Sequence, residues 1–562
     1  MKYANWNVPE RGAEIPRALL AAGCTPLLAA ILHLRGLSDP AAARSFLRGG
    51  AETLTNPLEL TGMVDAVQRL TRAVATGEHV AVYGDYDVDG ITAACLLTDY
   101  LRFRGLTCEL RIPDRISEGY GLNTAAIDKL AKEGVTLIVT VDCGVTNLEE
   151  TAYAAQRGVD MIVTDHHECR EALPEAEAVV DPKQPDSSGV GTALAGVGVA
   201  FKLVCAMEGD AEKMLARYGD LVAVGTVADV MPLLGENRFI TRCGLQKIAA
   251  GDCRPGFLAL AEEAGVRDKP FTASTVGFSL APRINAAGRL GEPSLAVRLL
   301  EETDLRRARV LAAELCAKNR ERQALEMEIW REAVERLHGE QPDAPIVLAS
   351  EGWHPGVIGI VASRLTDAYS VPAVMICLDG ESGKGSCRST GSFNLFEALS
   401  ACSDCLEGFG GHAMAAGVTV RRGCVDELRS RLREYYLSHP DRTLPALEAD
   451  LLVDSPELLT MACVESLDEL EPCGNGNPRP LLYMENVSLD SVQPIGGGKH
   501  LRLKLAKFGQ TYDGVFFSQT APALGARAGQ RCDIVFAPQI NEFHGRRSVQ
   551  LVITDLRRSK EG

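Results

Sequence analysis

Acidic side chains gather at four points of the 562-residue sequence. Asp85, Asp87 and Asp89 alternate within DYDVDG, and Asp142 follows VTLIVTV. Asp165 leads into His166 and His167 after MIVT, and Asp229 follows LVAVGTVA. Each lies at the end of a run that reads as a strand, and two of these runs are apolar enough to be buried. A buried carboxylate without compensation is expensive. Several converging on one point repel one another unless a cation neutralises them. Asp with His and without Cys suits borderline-to-hard divalent ions: Mn2+ or Mg2+, with Zn2+ or Co2+ also open. Five or six ligands are too many for one catalytic ion with open positions. They suffice for two ions about 4 Å apart that share a carboxylate. Such a pair turns a bridging water into hydroxide and stabilises the charge of a phosphoryl transition state. Taken singly, each Asp has a plainer reading as the N-cap of the next helix, and Asp89 before Gly90 as a turn residue. The joint occurrence of all four groups favours the metal cluster.

These residues need elements to position them. The strand HVAVYG runs into DYDVDG and then into the apolar helix ITAACLLTDYLRFRG. TAAIDKLAKEG leads to VTLIVTVDCG, LEETAYAAQRG leads to VDMIVTDHH, and AEAVVDP adds a further strand. Helices alternating with uniformly apolar, β-branched strands imply a parallel sheet covered on both faces. In such sheets ligands bind at the carboxyl ends of the strands. Residues 295–338 lack Pro and Gly and are dense in Leu, Ala, Arg and Glu, which predicts one or more long helices joining two lobes. PIVLAS opens a second α/β region. Beyond it, short alternations such as LRLKL and YDGVFF between Gly and Pro predict a small all-β barrel. The expected organisation is a helical region over 1–60, a catalytic domain over 61–290, a connecting helix over 291–343, a second α/β domain over 344–440 and an OB-type barrel over 441–562.

Composition narrows the class. Apolar residues make up 46% and charged residues 24%, ordinary for a soluble globular protein. No stretch approaches the ~18 apolar residues of a transmembrane helix, and the start lacks the pattern of a signal peptide. The 17 cysteines sit in apolar runs, which suits reduced thiols in the cytoplasm. The one CxxC, Cys402 and Cys405, has no second pair at zinc-site spacing. The net charge of −17 excludes a simple basic nucleic-acid coat. Local binding stays open, because residues 496–562 hold 11 basic and 5 acidic residues, net +6, which leaves −23 for the rest.

Asp165-His166-His167 together with DYDVDG resembles the DHH phosphoesterase superfamily. PDRISEGYG (113–121), TVDCG (140–144), GTVADVMPL (225–233), RINAAGR (283–289), EGWHPGVIGIVASRL (351–365) and GGHAMAAG (410–417) resemble, in order, successive motifs of the bacterial RecJ exonuclease family. EPCGNGNPRP near Pro472 resembles the approach to that family's oligonucleotide-binding barrel. The resemblance covers the chain from about residue 50 onward. Val88 and Cys473 depart from the pattern at positions the chemistry does not need.

The resemblance implies a single-stranded-DNA-specific exonuclease that works from the 5′ end with two ions, Mn2+ or Mg2+, and releases 5′ mononucleotides in recombination and repair. It makes Asp87 and Asp89 metal ligands and Asp142 the bridge. His166 and Asp229 complete the second ion's shell, and Asp85 is a ligand or an acceptor behind one. His167 becomes a phosphate contact or proton donor. Arg115 suits an anionic phosphate, and Arg283 and Arg289 join the DNA side of the cleft. Trp353 reads equally as a base-stacking residue or as a plain core residue, and His354 as a phosphate contact at a helix N-terminus. Arg388, Ser389, Gly411 and His412 resemble the pocket for the 5′ end. In the barrel, Lys499, Arg502 and Lys504, with His500 beside them, form a basic track, with Phe516, Phe517 and Phe543 open to stacking and Arg546 and Arg547 on a hairpin. Single-strand-binding protein and a helicase are the implied partners of a monomeric enzyme. Two other readings remain: a related phosphoesterase of short oligonucleotides, cyclic dinucleotides or pyrophosphate, and an inactive strand-binding scaffold.

Overall fold

The computed structural model describes residues 3, 5–115, 118–119, 121–440 and 446–559. A five-stranded parallel sheet carries the strands in the order Thr107–Arg111, His79–Gly84, Leu137–Val141, Asp160–Thr164 and Ala178–Val180. Period-2 alternation divides its side chains between two cores. Val80 and Val82 pack with the helices Met63–Thr76, Val88–Phe103 and Gly196–Glu208, while Ala81, Tyr83, Ile138 and Val163 face the helices Thr124–Lys132 and Leu148–Gln156. The sheet is covered on both sides, as its apolar strands predict.

The run LVAVGTVA is not a strand. It is the last part of the helix Ala211–Ala228, buried continuously from Tyr218 to Thr226. A helix buried all round loses the 3.6-residue polar rhythm, so its apolar run mimics a strand. The linking region is two helices, Pro293–Glu301 and the 32-residue Leu305–Arg336, the second N-capped by Asp304.

The second α/β sheet has the order Leu406–Gly411, Ala415–Arg421, Ser382–Arg388, Ala373–Asp379 and Ile346–Ser350. Only the last two strands pair in parallel. The helix Ile358–Tyr369 packs on the Ala373–Asp379 and Ser382–Arg388 strands. All of this, residues 51–441 with 472–477, forms one compact unit.

The other unit holds residues 1–50, 442–471 and 478–562. Strands Leu482–Ile495, His500–Lys507, Gln510–Phe516, Arg546–Arg558 and Arg531–Phe543 close into a barrel when the last pairs with the first. The N-terminal region carries the helices Arg17–Ala21, Pro26–Leu34 and Pro40–Arg48. Ahead of them Asn5–Asn7 pairs in parallel with Ala446–Glu448, and Trp6 donates to Asp555 at 3.0 Å while Arg557 lies over its ring. All 17 cysteines are free, Cys402 and Cys405 among them.

Candidate metal centre and phosphate cleft

The strand His79–Gly84 ends where Asp85 begins a tight loop. A Cβ on Gly90 would meet the Asp85 backbone nitrogen at 2.6 Å and oxygen at 2.5 Å, so this close approach requires glycine. Asp87 caps the helix Val88–Phe103, accepting from the Asp89 and Gly90 N–H groups at 2.9 and 3.1 Å through Oδ1 alone. The capping role and a ligand role are compatible, because Oδ2 remains. Asp89 turns inward and accepts from the N–H groups of Gly196 and Val197 at 2.6 and 2.8 Å, at the start of the helix Gly196–Glu208. That helix end is electropositive and favours the carboxylate.

Asp142 follows the strand Leu137–Val141 with φ of 58°, a left-handed conformation that Asp tolerates better than most residues. His166 points its Nε2 at three carboxylates: Asp142 at 3.1 Å, Asp229 at 3.6 Å and Asp89 at 3.7 Å. Among the described residues, neither ring nitrogen of His166, nor Asp85 Oδ1, makes a well-formed hydrogen bond, although all three atoms are buried. Buried polar atoms are normally satisfied. These are oriented for a cation instead. Three groups of ligand atoms each lie within 4.8 Å: Asp85, Asp87 and Asp142; Asp89, His166 and Asp229; and Asp142, His166 and His167. Asp142 belongs to two of them, the position a bridging carboxylate takes.

Electrostatics agree. Burial, then repulsion from Asp87, pushes Asp85 up to about 8 and Asp89 up to about 7. Burial and then Asp89 raise Asp229 to about 7. Asp142 is driven well above the carboxylate range by burial and by Asp89, Asp87 and Asp85. Burial lowers His166. Protons or cations must neutralise this cluster, and a neutral imidazole is the form that binds metal.

Asp165 does a different job. Its Oδ1 accepts from His167 Nδ1 at 2.7 Å and from the His166 and His167 N–H groups at 2.7 and 3.2 Å. Its Oδ2 accepts from Val145 N–H at 3.0 Å. Burial opposes the Asp165 carboxylate, but the hydrogen bond and charge of His167 hold its pKa low. Burial would lower His167, yet Asp165 wins and raises it to about 9. Sequence reasoning passed over Asp165 as an orienting group. The signal was available, since a carboxylate directly preceding two histidines is placed to fix a ring.

Beside the cluster opens a cleft of about 730 Å³, lined by His167 and Tyr86 on one lobe and by Gly356, Arg388 and Gly411 on the other. Its Arg and Lys side chains are Arg115, Arg289, Lys384 and Arg388, beside His167, and among the described residues its lining contains no acidic side chain. Arg115 lies over the Tyr86 ring at 4.9 Å. Arg289 donates to the Gly356 carbonyl at 3.2 Å. Burial and the neighbouring Arg115, Arg322 and Arg388 lower Arg289 to about 10. Arg388 donates to Ser386 Oγ and the Cys387 carbonyl. Positive charge so concentrated calls for an anion.

The comparisons with known proteins agree with this geometry. The DHH family N-terminal domain matches residues 79–226, the DHHA1 domain 327–437 and the RecJ OB domain 450–555. The single-stranded-DNA-specific exonuclease RecJ of Bacillus subtilis is 40% identical over 94% of this chain and 68% of its own length. That of Dickeya dadantii is 36% identical over 98% of both. The chain belongs to the RecJ family. A crystal structure of RecJ from Thermus thermophilus in complex with Mn2+ superposes with a TM-score of 0.85 at 31% identity, covering 99% of this chain and 80% of that one. A second RecJ structure, bound to manganese, has a TM-score of 0.60 at 38% identity, covering 69% of this chain and 97% of the other.

Not every residue that the RecJ resemblance suggested reaches the cleft. Trp353 is 4% exposed, donates Nε1 to Glu332 at 2.7 Å and has Arg336 over its ring; it is a core residue and not a stacking surface. His354 accepts from Gly356 N–H at 3.1 Å and braces the turn that lines the cleft. Ser389 is buried and donates to the Phe393 carbonyl. Arg283 donates to the Ser279 carbonyl and is absent from the cleft lining. Gly411 does line it, with φ of 140°, while His412 is exposed and outside it. Asp229 is placed by the end of a helix, as its C-cap, rather than by a strand. In the RecJ barrel, Arg502 and Lys504 share an exposed face, with Lys504 paired to Asp513 at 2.8 Å, and Lys499 is exposed. Phe516 is buried and unavailable for stacking, whereas Phe517 and Phe543 are more than half exposed. Arg546 and Arg547 lie on the hairpin, and Arg547 pairs with Glu465.

Proposed function

We propose that this chain is an exonuclease of single-stranded DNA that hydrolyses phosphodiester bonds from the 5′ end and releases 5′ mononucleotides, in recombination and repair. The observation that carries this reading is the convergence of Asp85, Asp87, Asp89, Asp142, His166 and Asp229 on one point beside a cleft whose charged lining is cationic. The relatives named as single-stranded-DNA-specific exonucleases support the substrate.

Asp85, Asp87 and Asp142 would hold one divalent ion, Mn2+ or Mg2+, and Asp89, His166 and Asp229, with Asp142, would hold the other. When bound, such ions lower the pKa of water and offset charge on the phosphoryl oxygens. The remaining work belongs to the chain. Asp165 orients His167 and keeps it protonated, so that it can donate to the leaving oxygen. Arg115, Arg289 and Arg388 hold phosphate with guanidinium groups fixed by stacking or by carbonyl acceptors. The strand arrives from a helicase and from single-strand-binding protein, and the enzyme works as a cytoplasmic monomer.

The test uses 5′-labelled and 3′-labelled single strands with Mn2+ or Mg2+, with EDTA and Asp142→Ala as controls. Immediate release of the 5′ label as mononucleotide, with progressive shortening of the 3′-labelled strand, is expected, and both controls abolish it. Survival of long strands while cyclic dinucleotides are cut moves the protein to a different substrate class. Binding without cleavage under any metal makes it a scaffold.

A further inference from the structure

Besides the protonated His167, four Arg and Lys side chains line the cleft, and the phosphate contacts proposed above use three of them. Lys384 is the fourth. It is exposed, lines the same cleft, and among the described residues has no carboxylate within ion-pair distance. Arg421, Arg422, Arg429, Arg431 and Arg433 of the same domain, by comparison, include four with acidic partners.

The sheet explains where Lys384 points. In strand Ser382–Arg388, residues 384, 386 and 388 share one face. Across the ladder, Arg388 pairs with Ala415, Ser386 with Gly417, and Lys384 with Thr419. Gly417 pairs in turn with Gly410, and Thr419 with Gly408. Paired residues share a face, so a Ser386–Gly417–Gly410 row crosses three strands between the Arg388 row and the Lys384 row. The row begins beside the helix Ile358–Tyr369, where a Cβ on Gly359 would lie 2.8 Å from Ser386 Oγ, and ends at the free edge strand Leu406–Gly411. A Cβ on Gly410 would meet nothing within 4 Å, and one on Gly417 only the Gly385 carbonyl at 3.9 Å. Neither glycine has a positive φ. Neither backbone conformation nor packing therefore requires glycine here, although glycine weakens a strand. Such a glycine marks a place where something else approaches the backbone.

We infer that Lys384 binds a phosphate of the DNA strand other than the one held by Arg388, and that the strand crosses the floor of Gly417 and Gly410 between them. Lys384 and Arg388 are four residues apart, about 13 Å along the strand, which suits two phosphates. This inference rests on the proposed single-strand exonuclease activity.

The test measures kcat/KM on a long single strand across a NaCl series, for wild type, Lys384→Ala and Lys384→Arg. One lost phosphate contact makes the slope of log(kcat/KM) against log[NaCl] shallower by about 0.7. The alanine variant is expected to show that change with a KM raised several-fold, and the arginine variant to restore most of it. Gly417→Ala is expected to raise KM while leaving Tm equal or higher, because the added methyl meets no protein atom closely. Gly423→Ala, an exposed glycine in the 422–424 turn, is the control for the same chemical change. A Lys384→Ala enzyme with wild-type KM and salt slope overturns the inference. So does a Gly417→Ala enzyme with wild-type KM, whatever its Tm. A wild-type protein that leaves single strands intact refutes the exonuclease reading instead.

Discussion

Gly196 lies directly against Asp142: a Cβ built on Gly196 would stand 2.5 Å from the Asp142 Cβ and 2.8 Å from its Oδ1. The same residue donates its N–H to Asp89. One glycine at the start of one helix therefore sets the position of two carboxylates of the proposed metal cluster. Its φ is not positive, so the requirement is space and not conformation.

Gly196→Ala is accordingly expected to push Asp142 out of place and to weaken the hydrogen bond to Asp89 while leaving the sheet intact. Loss of an outer-sphere partner typically costs about 10–100-fold in metal affinity or activity, and displacement of a shared ligand should cost at least that. Titration of Mn2+ by calorimetry, beside circular dichroism to confirm folding, checks it. Wild-type Mn2+ affinity in a folded Gly196→Ala protein would contradict the shared role of Asp142.

The carboxylates titrate in a direction that ties stability to metal. Asp85 at about 8, and Asp89 and Asp229 at about 7, all lie above the unfolded value of about 3.9. The folded metal-free protein therefore binds more protons than the unfolded chain between those limits. Its stability falls as pH rises through that window, the reverse of the usual salt-bridged Asp. Without metal, Tm should drop by several degrees between pH 5 and pH 8. Saturating Mn2+ should flatten the drop, and Mn2+ binding near pH 6 should release protons, visible as a dependence of the binding heat on buffer ionisation. A metal-free Tm that stays level or climbs from pH 5 to pH 8 would count against a repelling cluster.

The parallel sheet was legible because its strands are continuous β-branched runs, and the cluster because acids recur at the ends of such runs. What the sequence concealed depends on contacts distant along the chain. The run before Asp229 could not declare itself a helix, because burial on every side removes its polar face. Trp353 sits in a motif whose composition suits nucleic acid, yet Glu332, on the linking helix, turns its indole into the core. Arg283 and Arg289 flank the same NAAG, and only packing against the Gly356 loop separates the one in the cleft from the one outside it. The pairing of Asn5–Asn7 with Ala446–Glu448 spans most of the chain and has no local signature.

Trp353→Phe separates those alternatives for the tryptophan. It removes one N–H donor from a Glu332 carboxylate that keeps Arg336 and is partly exposed, which costs about 1 kcal/mol. A lower Tm with KM for single strands within about two-fold of wild type is expected, since a few tenths of a kcal/mol separates such values. A KM raised tenfold at unchanged Tm would return Trp353 to the DNA-contacting surface.

Asp165→Asn tests the proton on His167. In the native protein burial disfavours the imidazolium, but the Asp165 carboxylate at 2.7 Å raises its pKa to about 9. A protonated donor of that kind is present below its pKa and lost above it, so it sets the alkaline limb of the kcat profile. Asparagine keeps one acceptor oxygen for the His166 and His167 N–H groups, turns its NH2 toward the Val145 N–H, and removes the negative charge. The pKa of His167 then falls toward the ordinary histidine value of about 6.5, and the alkaline limb should move to lower pH by a unit or more. The stability that Asp165 lends to the protonated ring, present below the unfolded histidine pKa and lost as pH rises through about 9, should disappear as well. Metal affinity, measured at a pH where both proteins are folded, separates this from damage to the neighbouring His166. A profile whose alkaline limb stays in place while kcat falls at every pH would mean that His167 contacts phosphate without donating a proton.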